Sequence, residues 1–338
     1  MNDSGFKKEE VLKRKLSAVY DGASSASLSD LALNLLEQQK SSWPQLAAGY
    51  AALALAQQCE IRCHGFSVRL QFNPQRIISS GAKVDEKSIR ERRCFLCLEN
   101  LPEQQFGMLY RNQFIVLCNP APIFAYHYTI SHLDHVPQLI EGNLGILLTL
   151  AKDFSPRFTV FYNGPRCGAS APDHLHFQAS PTGAIPIEND IADPARRTLI
   201  RGDGGVSLFQ IENLGRPVFL LEGKRHEAVE TRLSACIAAL WLSHSPPMEP
   251  MMNVICSYRS DYWRVIIFPR RKHRPEAFFR EGAERILISP AAVDMGGLIV
   301  TPVEKDFLNA DAELIESIYE EVSVDKNTLA QIVAALRE

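Results

Sequence analysis

Three groups of residues have the types and spacing to do chemistry together. The first is His174-Leu175-His176-Phe177-Gln178, where polar and apolar side chains alternate. Alternation predicts a strand with one wet and one buried face, so His174, His176 and Gln178 are expected on one side, ~7 Å apart in steps. Leu175 and Phe177 then face a core. A turn-rich loop with Asn163, Gly164, Pro165, Gly168, Ser170 and Pro172 precedes them. The second group is Cys94-Phe95-Leu96-Cys97, whose thiolates can grip one tetrahedral zinc but supply only half its shell. The third is Ser131-His132-Leu133-Asp134-His135. Cys94, Cys97, one histidine of the 132–135 segment and His174 would complete a Cys2His2 set. A redox pair or two unrelated buried thiols are the other readings of the CxxC, and Cys59-x3-Cys63-His64 is a rival cluster placed below it.

The chemistry these residues suggest is phosphoryl chemistry. An imidazole with a pKa near 6.5 is largely neutral and nucleophilic at neutral pH. It can form a covalent nucleotidyl intermediate and split one hard displacement into two. Backbone N–H groups of the 163–168 turn and the Ser170 hydroxyl suit phosphate oxygens. Gln178 can donate a hydrogen bond to phosphate but supplies no proton.

The elements that must position these groups follow from periodicity. Residues 7–58 read as helices, with Leu12, Leu16 and Val19, then Leu31, Leu33 and Leu36 at helical spacing, divided by the Ser-rich stretch 24–29 and by Ser41-Ser42-Trp43-Pro44. They carry no chemistry and read as packing. Residues 66–72 alternate as a strand closed by the turn Asn73-Pro74-Gln75-Arg76, where Asn73 and Arg76 are candidate substrate contacts. The charged run 83–93 reads as a solvated connection. Residues 114–117 and 126–130 read as strands, 143–153 as a helix, and 158–162 as a strand entering the loop.

CFLC, a histidine after an apolar strand, a Gly-Ser loop and His-x-His-x-Gln occur here in that order. This order resembles the galactose-1-phosphate uridylyltransferase branch of the histidine-triad superfamily. The loop FYNGPRCGAS is equally similar to diadenosine tetraphosphate phosphorylases (ATP adenylyltransferases) and GDP-hexose phosphorylases. The match covers about residues 66–180. The resemblance implies that His176 attacks the α-phosphorus, that His174 is a zinc ligand, and that the third zinc ligand is His135 rather than His132. In that branch the loop serine sits three positions before the first histidine, whereas Ser170 sits four before His174. Triad hydrolases carry a third histidine where this chain has Gln178. That difference favours leaving groups that depart without strong acid help, hence transfer or phosphorolysis over hydrolysis.

The second half echoes the first: Ile130-x4-His135-x-Pro137 recurs as Phe268-x4-His273-x-Pro275 after a strand at 263–268, without a second catalytic strand. The basic cluster 270–274 is either a solvated face or a phosphate clamp, with Arg271 and Lys272 as its candidate contacts. Residues 202–205 read as a turn, 295–300 as a turn into a buried strand, and 311–336 as a closing amphipathic helix.

At 338 residues the chain is long for a single core. The expected fold is α+β, with two histidine-triad-like half-barrel units of antiparallel sheet and packed helices: a helical extension at 1–58, a first unit with the motifs at 59–190, and a degenerate second unit at 191–338. Net charge of −3 gives no reason to expect nucleic acid. No apolar signal core or membrane-length run is present, and eight scattered cysteines suit a reducing, cytoplasmic compartment. The expected cofactor is one structural Zn2+. The expected partners are a nucleotide or nucleotide-sugar substrate and a phosphate or sugar-phosphate acceptor, with monomer or homodimer open. A nucleotide hydrolase of the same superfamily and a catalytically silent nucleotide-binding or zinc-stabilised protein are the alternatives.

Overall fold

The computed structural model describes residues 3–23, 26–77, 81, 84–243 and 249–338. Ser24 and Ser25 of the Ser-rich stretch and Lys83 of the charged run lie outside the described residues. The strands are β1 (Leu16–Tyr20), β2 (Gln57–Arg62), β3 (Ser67–Phe72), β4 (Gly107–Tyr110), β5 (Phe114–Cys118), β6 (Tyr128–His132), β7 (Phe158–Asn163) and β8 (His176–Pro181). They continue as β9 (Arg197–Asp203), β10 (Val206–Ile211), β11 (Val218–Gly223), β12 (Met252–Arg259), β13 (Tyr262–Pro269) and β14 (Leu298–Thr301).

An eleven-stranded sheet runs in the order β1-β4-β5-β6-β8-β7-β12-β13-β11-β10-β9. Its core is two copies of one topology. The first copy is ordered β4-β5-β6-β8-β7 and the second β9-β10-β11-β13-β12; they join where β7 pairs antiparallel with β12. Each copy sends a helix across one face between its third and fourth strands, Leu144–Asp153 in the first and His226–Leu240 in the second. The fold is therefore the expected α+β pair of units, fused into one continuous sheet.

This topology corrects the sequence repeat. Residues 130–137 leave β6, whereas 268–275 leave β13, and β13 is the counterpart of β8, not of β6. The strand carrying His176 does have a partner in the second copy, and no histidine lies within it. Residues 7–58 are also not uniformly helical. Leu16–Tyr20 is a strand that pairs parallel with β4 at the sheet edge, because its β-branched and aromatic residues meet an open ladder there. The closing segment is two helices, Ala312–Val322 and Lys326–Arg337, broken where Ser323 bridges to Arg270.

Period-two burial sorts each central strand between two cores. Val265 and Ile267 of β13 face the crossover helices with Tyr162 and Phe177. Ile266 and Phe268 face Phe161, Ile299 and Tyr319 on the opposite side, where β14 pairs with β3 in a three-stranded sheet, β14-β3-β2. That small sheet joins the amino-terminal hairpin to the carboxy-terminal half and closes the far wall of the site.

Glu249 ties the junction together. Its carboxylate accepts from the Ile140 N–H at 2.6 Å and from the Tyr162 hydroxyl at 2.7 Å. Burial pushes its carboxyl up to about 7, against 4.5 for the free side chain. The folded chain therefore binds the proton more tightly than the unfolded chain, and stability falls as pH rises from the unfolded value through about 7. Glu249→Gln is expected to remove this slope and to raise stability at pH 8 by up to roughly 3 kcal/mol, checked by denaturant melts at pH 5 and pH 8. Equal pH slopes in the two proteins would contradict the assignment.

Candidate active site and metal centre

Cys94, Cys97, His135 and His174 come together, with their four ligand atoms all within 4.8 Å of one another. Cys94 Sγ lies 3.3 Å from His174 Nδ1, and Cys97 Sγ lies 3.2 Å from His135 Nδ1 and 3.6 Å from His174 Nδ1. Tetrahedral zinc with bonds of ~2.0–2.3 Å has ligand–ligand edges of ~3.3–3.8 Å, so the four donors fit that ion. The bond from the Cys97 N–H to the Cys94 carbonyl folds the CxxC into a turn that aims both sulfurs one way. His174 Nε2–H donates to the His132 carbonyl at 2.8 Å, which leaves Nδ1 for a metal. His135 Nε2 faces Asp173 at 3.6 Å. His132 stands outside the cluster, its Nδ1 accepting from the Asp134 N–H at 3.0 Å. Zinc held here would have a closed shell of four protein ligands and a structural role.

His174 precedes the ladder, because β8 begins at His176. Its side chain turns into the metal cluster, while His176 and Gln178 line a cavity of about 700 Å3. The expected single row of three side chains is thus split, one toward the metal and two toward the cavity. Leu175 and Phe177 are buried in the core behind, as alternation requires.

His176 is 3% exposed, and burial pushes its imidazole down to about 4, so the ring is neutral at neutral pH. Nδ1–H donates to the carbonyl of His174 at 2.8 Å. That bond sets the tautomer and leaves the Nε2 lone pair available. Gln138 fixes the backbone around it. Its Oε1 accepts from the His176 N–H at 2.7 Å, and its Nε2 donates to the carbonyls of His176 and Asn163 at 3.0 and 2.9 Å. The two ends of the loop, at Asn163 and His176, are thereby held together.

Gln178 Oε1 accepts from His127 Nε2 at 2.9 Å. Burial, reinforced by the Arg76 charge, pushes His127 down to about 3, so it is a neutral donor. Gln178 is left with its NH2 group for a ligand. His127 in turn is clasped through its backbone by the Tyr50 hydroxyl of the helix Pro44–Ala54. That helix and Trp43 also line the cavity, so the amino-terminal helices form a wall of the site.

Ser170, Gly168, Asn163 and Arg76, candidates from the sequence, line the cavity. Gly168 has φ +93°, and a Cβ there would meet Ala291 Cβ at 2.5 Å, so the loop needs glycine on both counts. Asn163 Oδ1 accepts from Asn253 Nδ2 and the Ala292 N–H at 2.9 and 2.8 Å. Asn253 is itself held by Arg270, a fully buried cation bonded at 2.6 Å to Asn253 Oδ1 and to four carbonyls. The second half therefore buttresses the first through Asn253.

Four expected contacts fall elsewhere. Gly164 N–H donates to the Met252 carbonyl at 3.2 Å, because β7 and β12 continue their pairing through it. Asn73 caps the turn Pro74–Arg76 and donates to the Pro122 carbonyl at 3.0 Å. Arg271 donates to the carbonyls of Glu320 and Glu321 at the end of the helix Ala312–Val322, and Lys272 pairs with Glu276 and Glu321 at 2.8 Å each. None of the four lines the cavity; from the basic cluster, His273 and Arg274 do.

The sequence alone assigns no role to Gln138, His127 or Asn253, and none of a buried brace to Arg270. Strand pairing exposes two of them, since Thr129 faces Gln178 beside His127 and Asn253 faces Asn163 across the ladder, while Gln138 acts from the loop after β6.

Two family models match the chain. The family described as Domain of unknown function (DUF4922) matches residues 35–181, and the family described as GDPGP1-like, C-terminal domain, matches residues 191–338. Together the two matches and the shared fold support the resemblance to the uridylyltransferase, diadenosine tetraphosphate phosphorylase and GDP-hexose phosphorylase branch of the histidine-triad superfamily. Among solved structures it is similar to yeast Ap4A phosphorylase Apa2, at TM-score 0.53 and 18% identity over 83% of this chain and 93% of that one. It is also similar to the same yeast protein in complex with Ap4A, at TM-score 0.53 and 14% identity over 86% and 97%. No curated protein matches it in sequence. Among the described residues, no helix is long and apolar enough to cross a membrane.

Protein purified without added metal is expected to carry about one zinc per chain by elemental analysis, and Cys94→Ser with Cys97→Ser to lose it. Zinc undisturbed by that double change would contradict the four-ligand assignment. Arg271→Ala with Lys272→Ala is expected to leave nucleotide affinity within about twofold, measured by calorimetry, since both side chains engage an exposed helix end.

Proposed function

We propose that this protein is a nucleotidyltransferase or phosphorylase that acts on a nucleotide sugar or dinucleoside polyphosphate through a nucleotidyl-His176 intermediate. The observation that carries the proposal is the His176 ring itself: neutral, tautomer set by the His174 carbonyl, and lining a cavity beside Ser170 and Gly168. The GDPGP1-like match and the likeness to an Ap4A phosphorylase support the same chemistry.

Nε2 attacks the α-phosphorus, the bond from phosphorus to the leaving oxygen breaks, and the leaving sugar phosphate or nucleotide takes that electron pair. Positive charge developing on the imidazole is stabilised by Nδ1–H against the His174 carbonyl. Ser170 and the Gln178 NH2 group bind non-bridging oxygens. An acceptor phosphate or sugar phosphate then attacks phosphorus, the P–N bond breaks, and its pair returns to Nε2. Neither Gln178 nor neutral His127 can deliver a proton, which favours transfer or phosphorolysis over hydrolysis. Zinc held by Cys94, Cys97, His135 and His174 would tie the loop before β8 to the CxxC turn. Residues 59–190 form the catalytic unit and 191–338 its degenerate supporting unit. A cytoplasmic location accords with the cysteines, which are free.

His176→Ala is expected to lower turnover at least about 10³-fold and to abolish isotope exchange between the donor and its leaving group, with zinc content and melting temperature retained. Exchange surviving in the variant would sink the intermediate.

A further inference from the structure

Arg92, two residues before the first metal-binding cysteine, has an incomplete set of partners. Its Nη2 donates to Asp173 Oδ1 at 2.6 Å and lies 3.5 Å from the Ser170 carbonyl. Its guanidinium packs over the Phe95 ring at 5.2 Å. Yet Nη1 is buried and has no hydrogen-bond partner among the described residues, and Arg92 lines the same cavity as His176. Leaving a buried cationic N–H unpaired is costly, so such a donor points to a ligand that completes it. Arg76 repeats the pattern. Its Nη1 donates to the Ala121 carbonyl at 2.7 Å, while its Nε is buried without a partner among the described residues, and it lines the same cavity.

The two arginines reach the cavity beside different parts of the site. Arg92 stands beside Ser170; Arg76 stands close enough to His127, the partner of Gln178, to affect its charge. Two guanidinium donors beside the flanking groups of one nucleophile match linked phosphoryl groups better than a single phosphate.

We propose that Arg92 is a second phosphate-binding arginine, which with Arg76 holds a substrate polyphosphate chain across His176. The proposal deepens the nucleotidyl-transfer reading and relies on it only for naming the chain as a nucleotide's. Asp173 holds Arg92 through one oxygen and faces the metal-side His135 through the other. One carboxylate thus positions both the phosphate donor and the metal ligand.

The test uses the full chain with inorganic tripolyphosphate as probe and adenosine as control, read by calorimetry alongside zinc content. Arg92→Gln is expected to weaken tripolyphosphate binding at least about tenfold while adenosine affinity changes by less than about twofold. Arg92→Lys keeps a charge for Asp173 but lacks Nη1, and is expected to show the same selective loss with zinc retained. Tripolyphosphate binding as in the unmodified chain would overturn the proposal, as would no binding by the unmodified chain or a parallel loss of adenosine. Zinc lost from both variants would overturn it too, by making Arg92 a support of the metal site. Selective loss in chains that form no nucleotidyl-histidine would uphold the anion site and reject the nucleotidyl reading.

Discussion

The site depends on one residue facing two ways. His174 directs its side chain into the Cys94, Cys97 and His135 cluster and its carbonyl onto His176 Nδ1 at 2.8 Å. Its own ring is oriented by Nε2–H against the His132 carbonyl, which belongs to the neighbouring strand. A metal bound at Nδ1 would therefore immobilise the backbone acceptor that sets the tautomer of His176, the proposed nucleophile. A structural ion can in this way govern a reactive ring without touching substrate. Gln138 supports the arrangement from the loop side, bridging the backbone of His176 to that of Asn163.

Around this pivot the duplicated sheet explains what the second unit is for. Its counterpart of β8 carries no histidine, and its contacts with the site are supporting ones. Asn253, placed opposite Asn163 by the β7–β12 pairing, holds the loop side chain, and Arg270 holds Asn253. Arg270 has only neutral partners in these bonds, and burial lowers its pKa. Such a group is retained only where several carbonyls converge on it. The cation gathers the ends of β13 and the helix Ala312–Val322 around the floor of the cavity.

Much of this was legible in the residues and some of it could not be. Spacing alone left the donors open; the roles given to His176, His174 and His135 come from the family resemblance that the order of the CxxC, the 132–135 segment and His-x-His-x-Gln carries. Alternation correctly buried Leu175 and Phe177. It misplaced His174, since a turn bonded to the Ala171 carbonyl holds that residue outside the strand, which begins two residues later at His176. Leu16–Tyr20 has apolar spacing that fits both periods, and only the open edge of β4 decides for a strand. The basic run at 270–274 reads as either a solvated face or a clamp, and the structure divides it, because consecutive residues on a strand end face different environments: Arg270 is buried, Arg271 and Lys272 cap a helix, and Arg274 reaches the cavity. His127 and Gln138 carry no local signal, because the first acts through register across the sheet and the second through loop contacts with Asn163 and His176.

The most direct measurement is intact mass, followed by peptide mapping, of the wild-type chain incubated with diadenosine tetraphosphate or with UDP-, GDP- and ADP-sugars. The account predicts a gain of one nucleoside monophosphate with one of these donors, acid-labile as a phosphoramidate and located on His176. No gain with any donor, or a label on another histidine, would contradict it.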